Sequence, residues 1–140
     1  MTSLYAQFTT SPDLEKEGIV LEYGFNSKNQ PIGIRVARAG GSNAQYSKRM
    51  EIKVKPFRRQ IQTESIDKKL LEKLILEVFC ETVVLGWENV EDRDGNPLPF
   101  SYEAAVKLFT DLPDLFADVQ DAAQKASLFR AEILEGVAGN

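Results

Sequence analysis

The stretch Ile66-Asp67-Lys68-Lys69-Leu70-Leu71-Glu72-Lys73-Leu74-Ile75-Leu76-Glu77-Val78-Phe79-Cys80-Glu81-Thr82-Val83-Val84-Leu85-Gly86-Trp87 sets the architecture of the chain. Ile66, Leu70, Leu71, Leu74, Ile75, Val78, Phe79 and Val83 recur every three or four residues, the period of an amphipathic helix. Beyond Leu74 the apolar residues surround most of the helix circumference, which marks a buried element. The pattern predicts one long central helix from Ile66 to about Trp87, capped by Ser65.

Upstream the period changes. Gly18-Ile19-Val20-Leu21-Glu22-Tyr23 is β-branched and aromatic, and Pro31 to Arg38 alternates with Ile32, Ile34 and Val36 on one face. Asn26-Ser27-Lys28-Asn29-Gln30 between them is turn chemistry, so residues 17–38 read as a β-hairpin. Such a hairpin is marginal alone and must pack on helices or pair with another copy. Residues 1–16 read as a flexible N-terminal arm with a Ser11-Pro12-Asp13 turn.

Helices fill the rest. Ser42 or Asn43 caps one that starts near Ala44 and carries Tyr46, Met50 and Val54, with Pro56 ending or kinking it before Phe57 to Gln62. Downstream of the Gly95/Pro97/Pro99 turn region, Ser101 caps a helix bearing Val106, Leu108, Phe109 and Leu112. Asp111 is expected to cap another, bearing Leu115, Phe116, Val119 and Ala123, and a last helical stretch takes in Leu128, Phe129 and Ile133. The expected fold is α+β, mainly α: an N-terminal hairpin, then a compact bundle of about four to five helices over residues 43–135, with 17–140 one domain.

The 140 residues, 43% hydrophobic and 27% charged, suit an ordinary globular domain that needs no disulfide or metal to fold. The chain has no histidine, which removes the commonest general base, the usual triads and most zinc sites. No phosphate-binding glycine loop occurs, and Gly40-Gly41-Ser42 lacks the lysine and further glycines of one. Cys80, the sole cysteine, reads as a small buried hydrophobe. Asp92-Arg93-Asp94-Gly95 lacks carboxylates at the first and twelfth positions of a calcium loop, so it reads as a tight turn. Asp114, Asp118 and Asp121 share a helix face and read as solvated. No catalytic, cofactor or metal residues are expected. The longest apolar stretch is too short to span a membrane and no signal peptide is evident, so a cytoplasmic location is expected.

Charge is unevenly placed. Residues 1–62 hold ten Lys or Arg against five Asp or Glu, and residues 63–140 hold seven against sixteen. The basic segment Arg35 to Arg59 interleaves Tyr46 and Phe57, but an acidic chain argues against nucleic acid. An acidic protein partner, the chain's own acidic half, or plain solvation remain as readings of it.

Gly86-Trp87-Glu88-Asn89-Val90, then Asp94-Gly95-Asn96-Pro97-Leu98-Pro99-Phe100-Ser101, then Ala105 to Phe116 with Thr110-Asp111-Leu112-Pro113-Asp114-Leu115-Phe116, occur in this order. The run resembles the tail assembly chaperones of long-tailed, siphovirus-type bacteriophages, and the likeness covers roughly residues 32–133. The resemblance implies a non-enzymatic protein that binds the tape measure protein and tail tube subunits in the host cytoplasm and leaves before the virion is complete. It also implies the short member of a short and frameshifted pair. A groove or face for a helical partner is expected to use Trp87, Phe109, Leu112, Leu115 and Phe116, with Arg58 and Arg59 meeting an acidic target. The same apolar residues equally suit the core. A homo-oligomer is compatible with either role. The alternative is a structural tail or neck protein kept in the virion, its hairpin paired with neighbours.

Overall fold

The computed structural model describes residues 3–130. Its frame is a three-stranded antiparallel sheet in the order β1-β2-β3, with β1 at Ile19–Phe25, β2 at Pro31–Val36 and β3 at Val84–Glu88. Ile19 faces Val36 and Leu21 faces Ile34 across the hairpin. On the other side of β2, Ile34 faces Trp87 and Val36 faces Val84. Strand alternation therefore puts Ile34 and Val36, both buried, on the inner face. The expected hairpin and its apolar face are present, and Ile32 is half-buried at the loop end.

Seven α-helices accompany the sheet among the described residues: α1 Leu4–Phe8, α2 Pro12–Glu17, α3 Ala44–Val54, α4 Arg58–Gln62, α5 Lys68–Thr82, α6 Tyr102–Asp111 and α7 Pro113–Gln124. Five of them follow the hairpin, so the fold is α+β and mainly α. A 3-10 turn at Lys55–Phe57 marks Pro56 and joins α3 to α4. Another, Ala126–Phe129, follows α7. The expected final helix past Arg130, with Ile133, lies outside the described residues.

The long central helix is shorter than its periodicity implies. Asp67, not Ser65, is its N-cap, with the Asp67 carboxylate accepting from Leu70 N–H at 3.3 Å. Ser65 instead closes the preceding turn, its N–H donating to the Gln60 carbonyl at 2.8 Å. At the other end α5 stops at Thr82, and residues expected in its last turn form β3. A short apolar run has no period of its own to separate helix from strand. Here β-branched Val83-Val84 and the free edge of β2 decide it, because pairing satisfies the backbone groups of both strands.

The core lies between the inner sheet face and α5, α6 and α7. It joins Ile34, Val36, Phe79, Val83, Phe109 and Val119, with Cys80 among them. Burial pushes the Cys80 thiol up to about 12, so it is a packed neutral side chain. Phe79 stacks edge-on against Tyr46 of α3 and Phe116 of α7, each at 5.5 Å. Asn43, expected as a cap, makes no capping bond. Its side-chain amide instead donates to the carbonyls of Arg38 at 2.9 Å and Thr82 at 3.1 Å, tying the sheet exit to the end of α5.

The N-terminal segment is not loose throughout. Ser11 caps α2, and its N–H donates to the Phe129 carbonyl at 2.7 Å. Glu15, 1% exposed, forms an ion pair with Arg38 and accepts from Ser42 N–H at 3.3 Å. Burial alone would raise the Glu15 carboxyl, but hydrogen bonds from Arg38, Ser42 and Thr10 hold it below the usual carboxylate range. Only α1 fits the description of an exposed arm, with Leu4, Tyr5 and Phe8 largely in solvent.

Candidate functional site

The residues singled out in the sequence fall into three environments. Phe109 is fully buried and touches Phe116 at a ring distance of 5.7 Å, so its ring belongs to the core. Trp87 is half-buried in β3. Its indole N–H donates to the Leu98 carbonyl at 2.8 Å and its ring meets Phe100 edge-on at 5.0 Å. Trp87 thereby holds the segment between β3 and α6 against the sheet. Trp87→Phe keeps an aromatic side chain but removes the donor and part of the indole's bulk, and we expect it to cost about 1–3 kcal/mol in urea unfolding. An unchanged midpoint would show that neither the bond nor the indole's packing on Phe100 contributes net stability.

Leu112, Leu115 and Phe116 sit at the corner between α6 and α7. Leu112 is 47% exposed and its backbone (φ −123°, ψ 74°) makes the turn. It occupies the N-cap position of α7 without a side-chain cap, and Pro113 opens that helix. Asp111, expected as the cap, ends α6 instead. Its carboxylate accepts from Lys107 at 3.0 Å and lies 3.7 Å from Arg93, and the Lys107 bond holds its pKa below the usual range. The turn redirects the helical stripe, so residues of the corner line two separate grooves.

Leu112 and Leu115 line a groove of about 400 Å³ shared with Tyr23, Phe25 and Ile32 of the hairpin. Two polar ties brace it. Tyr23 donates its hydroxyl to the Asp118 carboxylate at 2.6 Å, and Glu91 accepts from the Ser27 backbone at 2.8 Å and hydroxyl at 2.6 Å. Phe25, 67% exposed, stands at the mouth. Phe116 lines the second groove, about 640 Å³, between α5, α6 and α7. Sequence reading does not single out Phe25, because it falls between the strand pattern that ends at Tyr23 and the turn of residues 26–30, and it reaches the corner only in the folded chain.

Arg58 and Arg59 are exposed on α4 and line neither groove. The basic stretch around them divides. Arg38 pairs with Glu15, Arg49 with Glu81, and Lys53 lies 3.6 Å from both Glu77 and Glu81. The chain's own acidic half therefore takes up part of this charge. Lys48, Lys55, Arg58 and Arg59 have no ion pair among the described residues and face solvent.

No group of side chains among the described residues is arranged to hold a metal ion. Asp92 spends its carboxylate on the N–H groups of Asp94 and Asn96, at 2.9 and 3.0 Å, closing a turn on itself. No described helix is long and apolar enough to cross a membrane.

A family model described as YdaY prophage protein matches residues 41–140. The chain belongs to the YdaY prophage protein family. The YdaY match begins at Gly41, beyond both hairpin strands, and includes β3, the whole α6–α7 corner and both arginines of α4. A phage-derived origin follows from the family. No curated protein and no solved structure matches the chain.

Proposed function

We propose that this prophage protein is a non-enzymatic tail assembly chaperone that binds the tape measure protein, and tail tube subunits, in the host cytoplasm. The observation that carries the reading is the ordered run from Gly86 to Phe116, which resembles such chaperones. The prophage family supports the phage setting. The corner supports the mode of action. Leu112 exposes nearly half its surface, beside Leu115 and Phe25, where a partner's apolar side chains can be covered.

Co-expression with a tape measure fragment tests it. The fragment alone is expected in the insoluble fraction, and with this protein it should become soluble and co-purify. Leu112→Ser should weaken that association about tenfold, the effect of losing one interface anchor, with the fold unchanged by circular dichroism. Failure of the unaltered protein to solubilise the fragment would sink the reading.

A second role has one specific observation behind it. β1 is an outer strand of the sheet, with Val20 and Phe25 exposed along it, and strands of neighbouring subunits can add there. A virion subunit would use that edge. Mass spectra of purified particles separate the two, because a chaperone is absent from them.

A further inference from the structure

We infer that the groove between α5, α6 and α7 is the docking site for an amphipathic helix whose flank is acidic. This deepens the tail-assembly reading and rests on it only for the partner being a protein. The floor is apolar, formed by Ile75, Leu76, Val106 and Phe116, with the fully buried Phe109 beneath. All its walls are helices, and helices pack into such channels by setting their side-chain ridges into the grooves of their neighbours. No sheet edge borders the groove, so an extended partner would gain no backbone hydrogen bonds there.

The charge of the rim selects the flank. Lys69 and Lys73 stand one turn apart on the same face of α5, and both are exposed. Neither has an ion pair among the described residues, in contrast to Arg49 and Lys53 of α3. Glu72 is the acid among the groove's lining residues, and Thr110 and Gln120 on the other helices are neutral. Asp111 nearby is committed to Lys107 and Arg93. An acidic flank laid along α5 would meet complementary potential, and a basic one would be repelled. A phosphate backbone would meet two lysines above an apolar floor that offers it no donors, which makes nucleic acid the poorer occupant.

The test uses the full chain and two designed amphipathic peptides of equal length with the same leucine face, one flanked by Glu and the other by Lys. The Glu-flanked peptide should bind about tenfold more tightly in low salt, as expected for two rim charges, and the difference should shrink as salt rises. The pair K69E and K73E together should reverse the preference. Ala117 is exposed in the groove wall, so Ala117→Trp should fill the channel and abolish binding of both peptides without altering the circular dichroism spectrum. Equal affinities, no binding of either peptide, or binding that survives Ala117→Trp would each overturn the inference. Self-association that Ala117→Trp abolishes, without peptide binding, would overturn it in favour of a second copy in the groove. A tape measure fragment that still co-purifies with the Ala117→Trp protein would overturn this assignment while leaving the chaperone reading standing.

Discussion

Replacing Phe79 by alanine should lower the unfolding free energy by about 3–5 kcal/mol, the usual cost of deleting a buried aromatic ring. Phe79 has no exposed surface. Its ring is the hub of three helices, since α5 carries it, Tyr46 of α3 meets it at 78° and Phe116 of α7 at 87°. Both contacts are edge-to-face, the arrangement that ring quadrupoles favour. Removal leaves a cavity that these two rings cannot close without leaving their own contacts. A domain this size has only about 5–15 kcal/mol of stability, so the variant is expected to unfold well below the parent's midpoint in urea. Phe57→Ala is the control. Phe57 is half-buried in the 3-10 turn after α3 and should cost clearly less. Equal losses in the two variants would remove Phe79 from its central position. Loss of Phe79 should also loosen the Phe116 groove, so peptide binding there should weaken along with stability.

The parts of this fold that sequence makes readable are those where a local rule and the tertiary structure agree. Ile32, Ile34 and Val36 fall on alternate positions of β2 and the latter two face the core, and Ser101 caps α6 by accepting from Ala104 N–H at 3.0 Å. Where a rule is local and the decision is not, sequence falls short. Val84 to Glu88 continues the apolar pattern of α5, and only the neighbouring edge of β2 turns it into a strand. The turn at Leu112 breaks the helical phase between α6 and α7, so periodicity across Asp111 and Pro113 does not say which apolar residues stay outside. Leu112 and Leu115 of the expected partner surface reach one groove, Phe116 reaches another, and Phe109 lies fully buried beneath the second as part of the core. Glu15 was the hardest to foresee. A carboxylate in a polar segment gives no sign that it will be buried, and its partner is 23 residues away.

Glu15→Ala is the second change with a large expected effect, a loss of about 3 kcal/mol, because it strands the Arg38 guanidinium in a largely covered site. Arg38 Nε is already buried without a hydrogen-bond partner, so the guanidinium has little alternative solvation there. Glu15→Gln should cost less, since its amide oxygen still accepts from Arg38. The backbone around the pair is fitted to it. Gly41 has φ +52°, and a Cβ there would overlap the Glu15 carboxylate. Gly41→Ala should therefore destabilise the parent by about 2 kcal/mol, from backbone strain and displacement of the pair together. In a Glu15→Ala background its cost should fall, and that coupling is the signature of the contact. The pH dependence has a fixed sign. The carboxyl is held below its ordinary value of 4.5 in the folded chain, so folding disfavours its protonation. Its contribution is full above that ordinary value and is lost as pH falls through the lower folded value. The parent should lose stability on acidification below about pH 5, and Glu15→Ala should lose less over the same interval. Parallel pH profiles for the two proteins would show that the pair does not fasten the N-terminal segment to the turn after β2.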